Sequence, residues 1–334
     1  MQTALQRQTA IVLAEALVVA YMAIIAFAAH RSGVALLLFP ELAALSHDVM
    51  TRPRGKWATQ PWRLILTPTL TAAIGLFITR HTHYSAIAIA VAVLLALLVI
   101  KLLRSAIGPA ISAGALPIVL GEKSWMYPVA ISIGLAGLVA VLLLWQRFGP
   151  HIEHPSPRVV HDSEVIDALE AYPNGHRPDR FWVFTLLVFV LGLGAAARFT
   201  GLRFILFPPL IVMAYEIFGH PEVPGWMARP IWFPLVCFLT ASIGWLACDW
   251  IHPGFVAVMI ATLCSVAVLR AFKVHMPPAL AVGLLPFVMA TPDFRYSLSV
   301  GIGTAALTLC FWARQSFQRY VCRQKQHRAS LVVE

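Results

Sequence analysis

Four short stretches of this chain combine proline, glycine and small apolar residues in a way that suits solute recognition inside a membrane. Two contain Leu-Phe-Pro, at Leu38-Phe39-Pro40 and Leu206-Phe207-Pro208, and two follow the pattern Pro-Ala-x-x-x-Gly-x-Leu-Pro, from Pro109 to Pro117 and from Pro278 to Pro286. Proline removes a backbone donor and blocks the carbonyl ladder, while glycine lets another backbone come close. A helix broken in this way presents free N–H groups and the positive end of its dipole, which favours a small anion. Paired short segments of this kind in corresponding halves of a chain point to substrate sites in transporters. The competing reading is that they kink helices and permit tight packing. On the first reading Phe39, Pro40, Glu41, Pro109, Ser112, Gly114, Pro117, Phe207, Pro208, Pro278, Gly283 and Pro286 shape a substrate pathway. Thr71 and Thr240 either line that pathway or bond to a carbonyl of their own helix.

Ionisable residues in apolar surroundings are costly in lipid and are the next candidates. Glu15 interrupts the first long apolar run, Glu41 follows Pro40, and Asp48, Glu216 and Asp249 sit near the ends of apolar segments, where water solvates a carboxylate. These five are the candidates for ion coupling. The histidines of His81-Thr82-His83 and of His151 and His154 lack further ligands of defined geometry, and the five cysteines show no metal spacing. No nucleophile elbow, zinc-binding His-Glu-x-x-His or phosphate loop occurs. The expectation is therefore no catalytic residue, no metal and no cofactor, and a protein that is not an enzyme.

The elements that position these residues follow from composition. Hydrophobic residues make up 59% of 334 positions and charged residues 12%, against roughly 25% charged in soluble domains. Runs such as 84–100 and 127–145 are long enough for a hydrocarbon core of about 30 Å, and they are continuous rather than alternating. Backbone groups in lipid must then be satisfied within helices, so the fold class is all-α, a polytopic transmembrane helical bundle. The net charge of +10 sits in short clusters between apolar runs, a topology signal rather than a nucleic-acid footprint. The expected surroundings are the lipid bilayer and a small-solute substrate, without nucleic acid, and the reading extends to a homo-oligomer.

The chain also resembles itself. From Trp57 onward, residues match at the offset that separates Trp57 from Trp226: Pro61 with Pro230, Thr71 with Thr240, Gly75 with Gly244, and Lys101 and Arg104 with Arg270 and Lys273. Upstream, an offset shorter by one pairs Leu38-Phe39-Pro40 with Leu206-Phe207-Pro208, Asp48 with Glu216, and Glu41 with Pro209. That last mismatch points to an asymmetric role for Glu41, such as proton coupling. The expected organisation is two parallel tandem repeats, each with four long helices and two short Pro/Gly-broken membrane segments. A first membrane module spans 1–147, a polar cytoplasmic linker 148–180, a second module 181–316 and a basic cytoplasmic tail 317–334. Within the linker, Asp-Ser-Glu-Val-Ile-Asp-Ala-Leu-Glu-Ala-Tyr has a capping start and helical spacing. Positive residues favour the inner side of short loops, which selects twelve crossings with both termini cytoplasmic in a bacterial inner membrane.

The Leu-Phe-Pro segment, Gln60-Pro61-Trp62-Arg63 before a glycine-containing helix, and the Pro-Ala-x-x-x-Gly segment resemble the HPP family of membrane proteins, over nearly the whole of each module. The family's His-Pro-Pro-Ala-Gly-Ala signature is altered here to His275-Met276-Pro277-Pro278-Ala279 in the second copy and Ile107-Gly108-Pro109-Ala110 in the first. Some plastid and cyanobacterial members are associated with nitrite transport. The resemblance therefore implies a transporter or channel for a small solute, an inorganic anion such as nitrite among them. The alternative is a non-transporting scaffold or sensor that binds a partner or anionic lipid through linker and tail.

Overall fold

The computed structural model describes residues 2–149, 181–219, 225–252 and 254–330. Among them are twelve α-helices and no strand. The first half holds α1 (Gln2–Ser32), α2 (Glu41–Thr51), α3 (Pro61–His81), α4 (Ala86–Leu102), α5 (Ala110–Leu120) and α6 (Met126–Phe148). The second holds α7 (Trp182–Thr200), α8 (Pro208–Gly219), α9 (Trp232–Ile251), α10 (Phe255–Phe272), α11 (Pro278–Leu284) and α12 (Phe294–Ser330). The helix expected within the linker, His151 and His154 lie outside the described residues.

Seven of these helices are long and apolar enough to cross a membrane. The expectation of four long helices in the first copy is met by three. Helix α4 has 17 residues and spans about 25 Å, because Ser85 caps its start by accepting from the Ala88 N–H and Arg104 ends it. That ending occurs twice. Arg104 (φ 48°) and Lys273 (φ 52°) adopt the left-handed conformation, and the N–H groups of Ser105 and Val274 reach back to the carbonyls of Ile100 and Leu269 at 2.9 and 3.0 Å. This is a Schellman cap, and a basic residue there also meets the negative end of the helix dipole.

The four short helices are the interior. Every residue of α11, and every residue of α2 from Glu41 to Met50 and of α5 from Ala110 to Val119, is buried. The long helices surround them and expose apolar side chains such as Leu13, Phe77, Leu98, Ile133 and Phe199. An apolar exterior around a buried centre is the arrangement lipid demands, since water would not tolerate such continuous patches.

Backbone breaks at the Leu-Phe-Pro segments give each short helix its place. Gly33 and Gly201, both at φ 71°, end α1 and α7, and an unwound stretch with a single 3-10 turn then leads to α2 and α8. The halves also interlock. Helix α2 packs on α11, α5 on α8, and α8 on α11, while α1 of the first half lies along α10 and α7 of the second along α4.

Side-chain bonds define the two ends of the bundle. At one end Trp57 Nε1 donates to the Ala106 carbonyl (2.9 Å), Trp145 Nε1 to Met50 (3.1 Å) and Arg314 to Phe218 (3.0 Å). This end carries Arg52, Lys101, Arg104, Arg270 and Lys273 and is called the basic end below. At the far end Arg80 donates to the Lys123 carbonyl (3.3 Å) and Arg203 to Ile118 (3.1 Å).

Candidate functional site

Helix α2 starts at Glu41 because Pro40, with no N–H to offer a preceding turn, closes the unwound stretch and opens the helix. Glu41 is 2% exposed. One carboxylate oxygen accepts from the Ser112 hydroxyl of α5, and the other, Oε2, is buried without a hydrogen-bond partner among the described residues. A carboxylate at a helix N-terminus is favoured by the dipole, so Glu41 occupies the position at which a broken helix would hold an anion. Around it, Tyr127 donates to the Ala113 carbonyl of α5 (2.8 Å) and Tyr296 to the Val282 carbonyl of α11 (2.6 Å). Both phenols lie within electrostatic reach of Glu41.

Phe39, Pro40, Pro109, Pro117, Phe207, Pro208, Pro278 and Pro286 are buried in the same interior. Other expected pathway residues make bonds and contacts within the bundle. Thr71 donates to carbonyls of Thr67 and Pro68, and Thr240 to that of Cys237, all within their own helices. Gly114 and Gly283 stand where α5 and α11 touch the backbones of α3 and α9: a Cβ on Gly75 would overlap the Gly114 carbonyl, and one on Gly244 would overlap that of Gly283. These glycines hold helices together.

The remaining carboxylates gather toward the basic end. Asp48, 1% exposed and two turns along α2 from Glu41, forms an ion pair with Arg52 and lies 3.3 Å from His275 Nε2, just ahead of α11. The His47 ring lies 5.5 Å from that of His275, and Glu216 of α8 is within electrostatic reach of Asp48 and Arg52. Glu15 of α1 pairs with Arg270 of α10 at 2.5 Å. A charged seam thus joins the halves. Asp249 stands apart, exposed in the last turn of α9. Among the described residues no three potential ligands converge on a metal position.

Sequence reasoning missed His47 and His275 as members of this seam. His275 stood out only as part of an altered motif, and its partner is far away in the sequence. Removing one member of a buried ion pair leaves the other charge uncompensated, at a cost of about 3–5 kcal/mol. Asp48→Ala is expected to lower thermal stability in detergent by that amount, and His275→Ala by much less, because Arg52 still answers Asp48. A melting curve of each variant checks the order.

Helices of this length and apolarity around a buried polar centre define a multi-pass membrane protein in contact with the bilayer. Residues 3–155 match the family model described as HPP, transmembrane region. That match makes the first module similar to the HPP transmembrane region. No curated protein and no solved structure matches it.

Proposed function

We propose that this protein carries a small solute across the membrane, and that the solute is a small inorganic anion such as nitrite. The observation that carries the reading is Glu41, a fully buried carboxylate at the start of a broken helix, bonded across to Ser112 with one oxygen left unpartnered. Burying such a group is expensive, and membrane proteins keep ionisable residues inside for ion and proton pathways. An anion entering between α2, α5, α8 and α11 meets this charge. Protonation of Glu41 and binding of the anion beside it favour one another, since each removes a repulsion, and linkage makes the effect reciprocal. The result is proton–anion symport without catalysis or a cofactor.

The recurrence of the Schellman caps, the buried tyrosine bonds and the glycine pairs at one sequence offset supports an internal duplication with parallel halves. Both termini then emerge at the basic end, which the positive-inside rule assigns to the cytoplasm, as in a bacterial inner membrane. The short helices complete twelve traversals with the help of their unwound flanks. Helix α12, at 37 residues or about 55 Å, outruns the bilayer and carries the basic tail past it. That overhang favours a second reading, a scaffold that acts through its tail.

Uptake into proteoliposomes, comparing nitrite, nitrate, formate, chloride and bicarbonate with and without a pH gradient, tests the proposal. Selective flux driven by an inward proton gradient is expected, and it persists after truncation behind Phe317. Absence of flux for all five solutes sinks the anion reading, and loss of function confined to the tail truncation moves the assignment to the scaffold.

A further inference from the structure

A cavity of about 250 Å³ opens at the far end, where α1 meets α10. Its walls are mostly small and apolar, with Ala29, Gly33, Ala35 and Leu38 from the first half and Gly254 and Phe287 from the second, and His30 adds one polar side chain. Leu38 is followed by Phe39, Pro40 and Glu41, so the cavity stands over the unwound stretch that leads to the buried carboxylate.

The sequence offset locates the equivalent place between α7 and α4, and there the space is occupied. The counterpart of Ala35 is Arg203 and the counterpart of Phe287 is Ile118. Arg203 Nη2 donates to the Ile118 carbonyl at 3.1 Å, and its guanidinium lies 4.4 Å over the Tyr84 ring. Tyr84 in turn donates to the Arg203 carbonyl at 3.4 Å. Exchanging Ala for Arg at one position, and adding an aromatic platform beneath it, closes the second entrance with a stacked cation. Deeper in, the twin site lacks the chemistry of the first: Pro209 stands for Glu41, Ala281 for Ser112 and Ala106 for His275.

We propose that the two halves build one working pathway and not two, with its entrance at the cavity between α1 and α10, its coupling group at Glu41 and its basic-end exit past the Asp48, Arg52 and His275 seam. The Arg203–Tyr84 clamp is a fixed plug in the vestigial twin. This rests on the transport reading for the solute, a small hydrated anion, but the asymmetry of the entrances is independent of it.

Thiol labelling separates the two. In the full chain with its five native cysteines replaced, single cysteines are placed at Leu38 or Leu206, and at the gentler pair Ala29 or Ala197. They are then exposed to a small sulfonated methanethiosulfonate. Reaction follows access to the thiol, so Leu38→Cys and Ala29→Cys are expected to react at least about tenfold faster than their counterparts. Arg203→Ala brings the slow member of each pair up toward the fast one. Equal rates in both pairs, or no effect of Arg203→Ala, overturn the plug. In proteoliposomes, labelling at Ala29→Cys stops flux and labelling at Ala197→Cys leaves it, and a block from both sides overturns the single pathway. Asymmetric labelling in a protein that moves none of the solutes counts against the transport reading while the plug stands.

Discussion

Gly75→Ala and Gly244→Ala are each expected to leave little monodisperse protein in detergent, although alanine is the better helix former by about 1 kcal/mol. The added methyl would have to occupy the position of the Gly114 or Gly283 carbonyl, which is backbone and cannot swing aside. Helices α3 and α5, or α9 and α11, must then separate, and overpacking of a dense interior costs about 3 kcal/mol or more when the obstacle is rigid. Across the same contact, a methyl on Gly114 comes 3.2 Å from the Thr71 carbonyl, a few tenths of an ångström too close, so Gly114→Ala is expected to fold with a modest loss. Leucine at Gly114 or Gly283 is expected to prevent folding. Size-exclusion profiles and melting curves of the three alanine variants decide the matter. Normal behaviour of Gly75→Ala would remove the backbone contact from the account of the fold.

Glu41→Gln is the second large effect, and its signature is functional. Glutamine keeps the shape of the side chain and accepts from Ser112, so the protein is expected to fold and melt close to the parent. It cannot take up or release a proton. Uptake then loses its dependence on the pH gradient, and the accumulated anion falls to the level of simple equilibration. Ser112→Ala removes one bond to a charged group, worth about 1.5–3 kcal/mol or roughly 10- to 100-fold, and is expected to weaken uptake while leaving it gradient-dependent. The pair distinguishes a coupling group from a structural one. If Glu41→Gln transports like the parent at every pH while Asp48→Asn does not, the coupling role moves to the seam at the other end of α2.

Much of this was legible in the residues. Hydropathy runs and the absence of strand-like alternation were enough for an all-helical membrane protein, because a backbone in lipid has few other options. The twin Pro-Ala-x-x-x-Gly-x-Leu-Pro segments, which drew notice because proline and glycine are where helices break and approach, lie in the buried interior. Glu41 stood out because its counterpart is a proline. Other roles were not legible. Thr71, Thr240, Gly114 and Gly283 look the same in sequence whether they line a path or seal a contact, since either use calls for a small or polar residue in an apolar run.

What the sequence determined by itself was the class of solvent, the helical backbone, the breaks in it and the placement of charge, all of which are local properties of side chains and their neighbours along the chain. What only the tertiary structure decided was which of these meet. His275 reaches Asp48, Glu15 reaches Arg270, and Arg203 lies over Tyr84 through the interlocking of two halves. The partner of a buried charge is chosen by packing in space, and packing joins residues whose separation along the chain carries no trace of the contact.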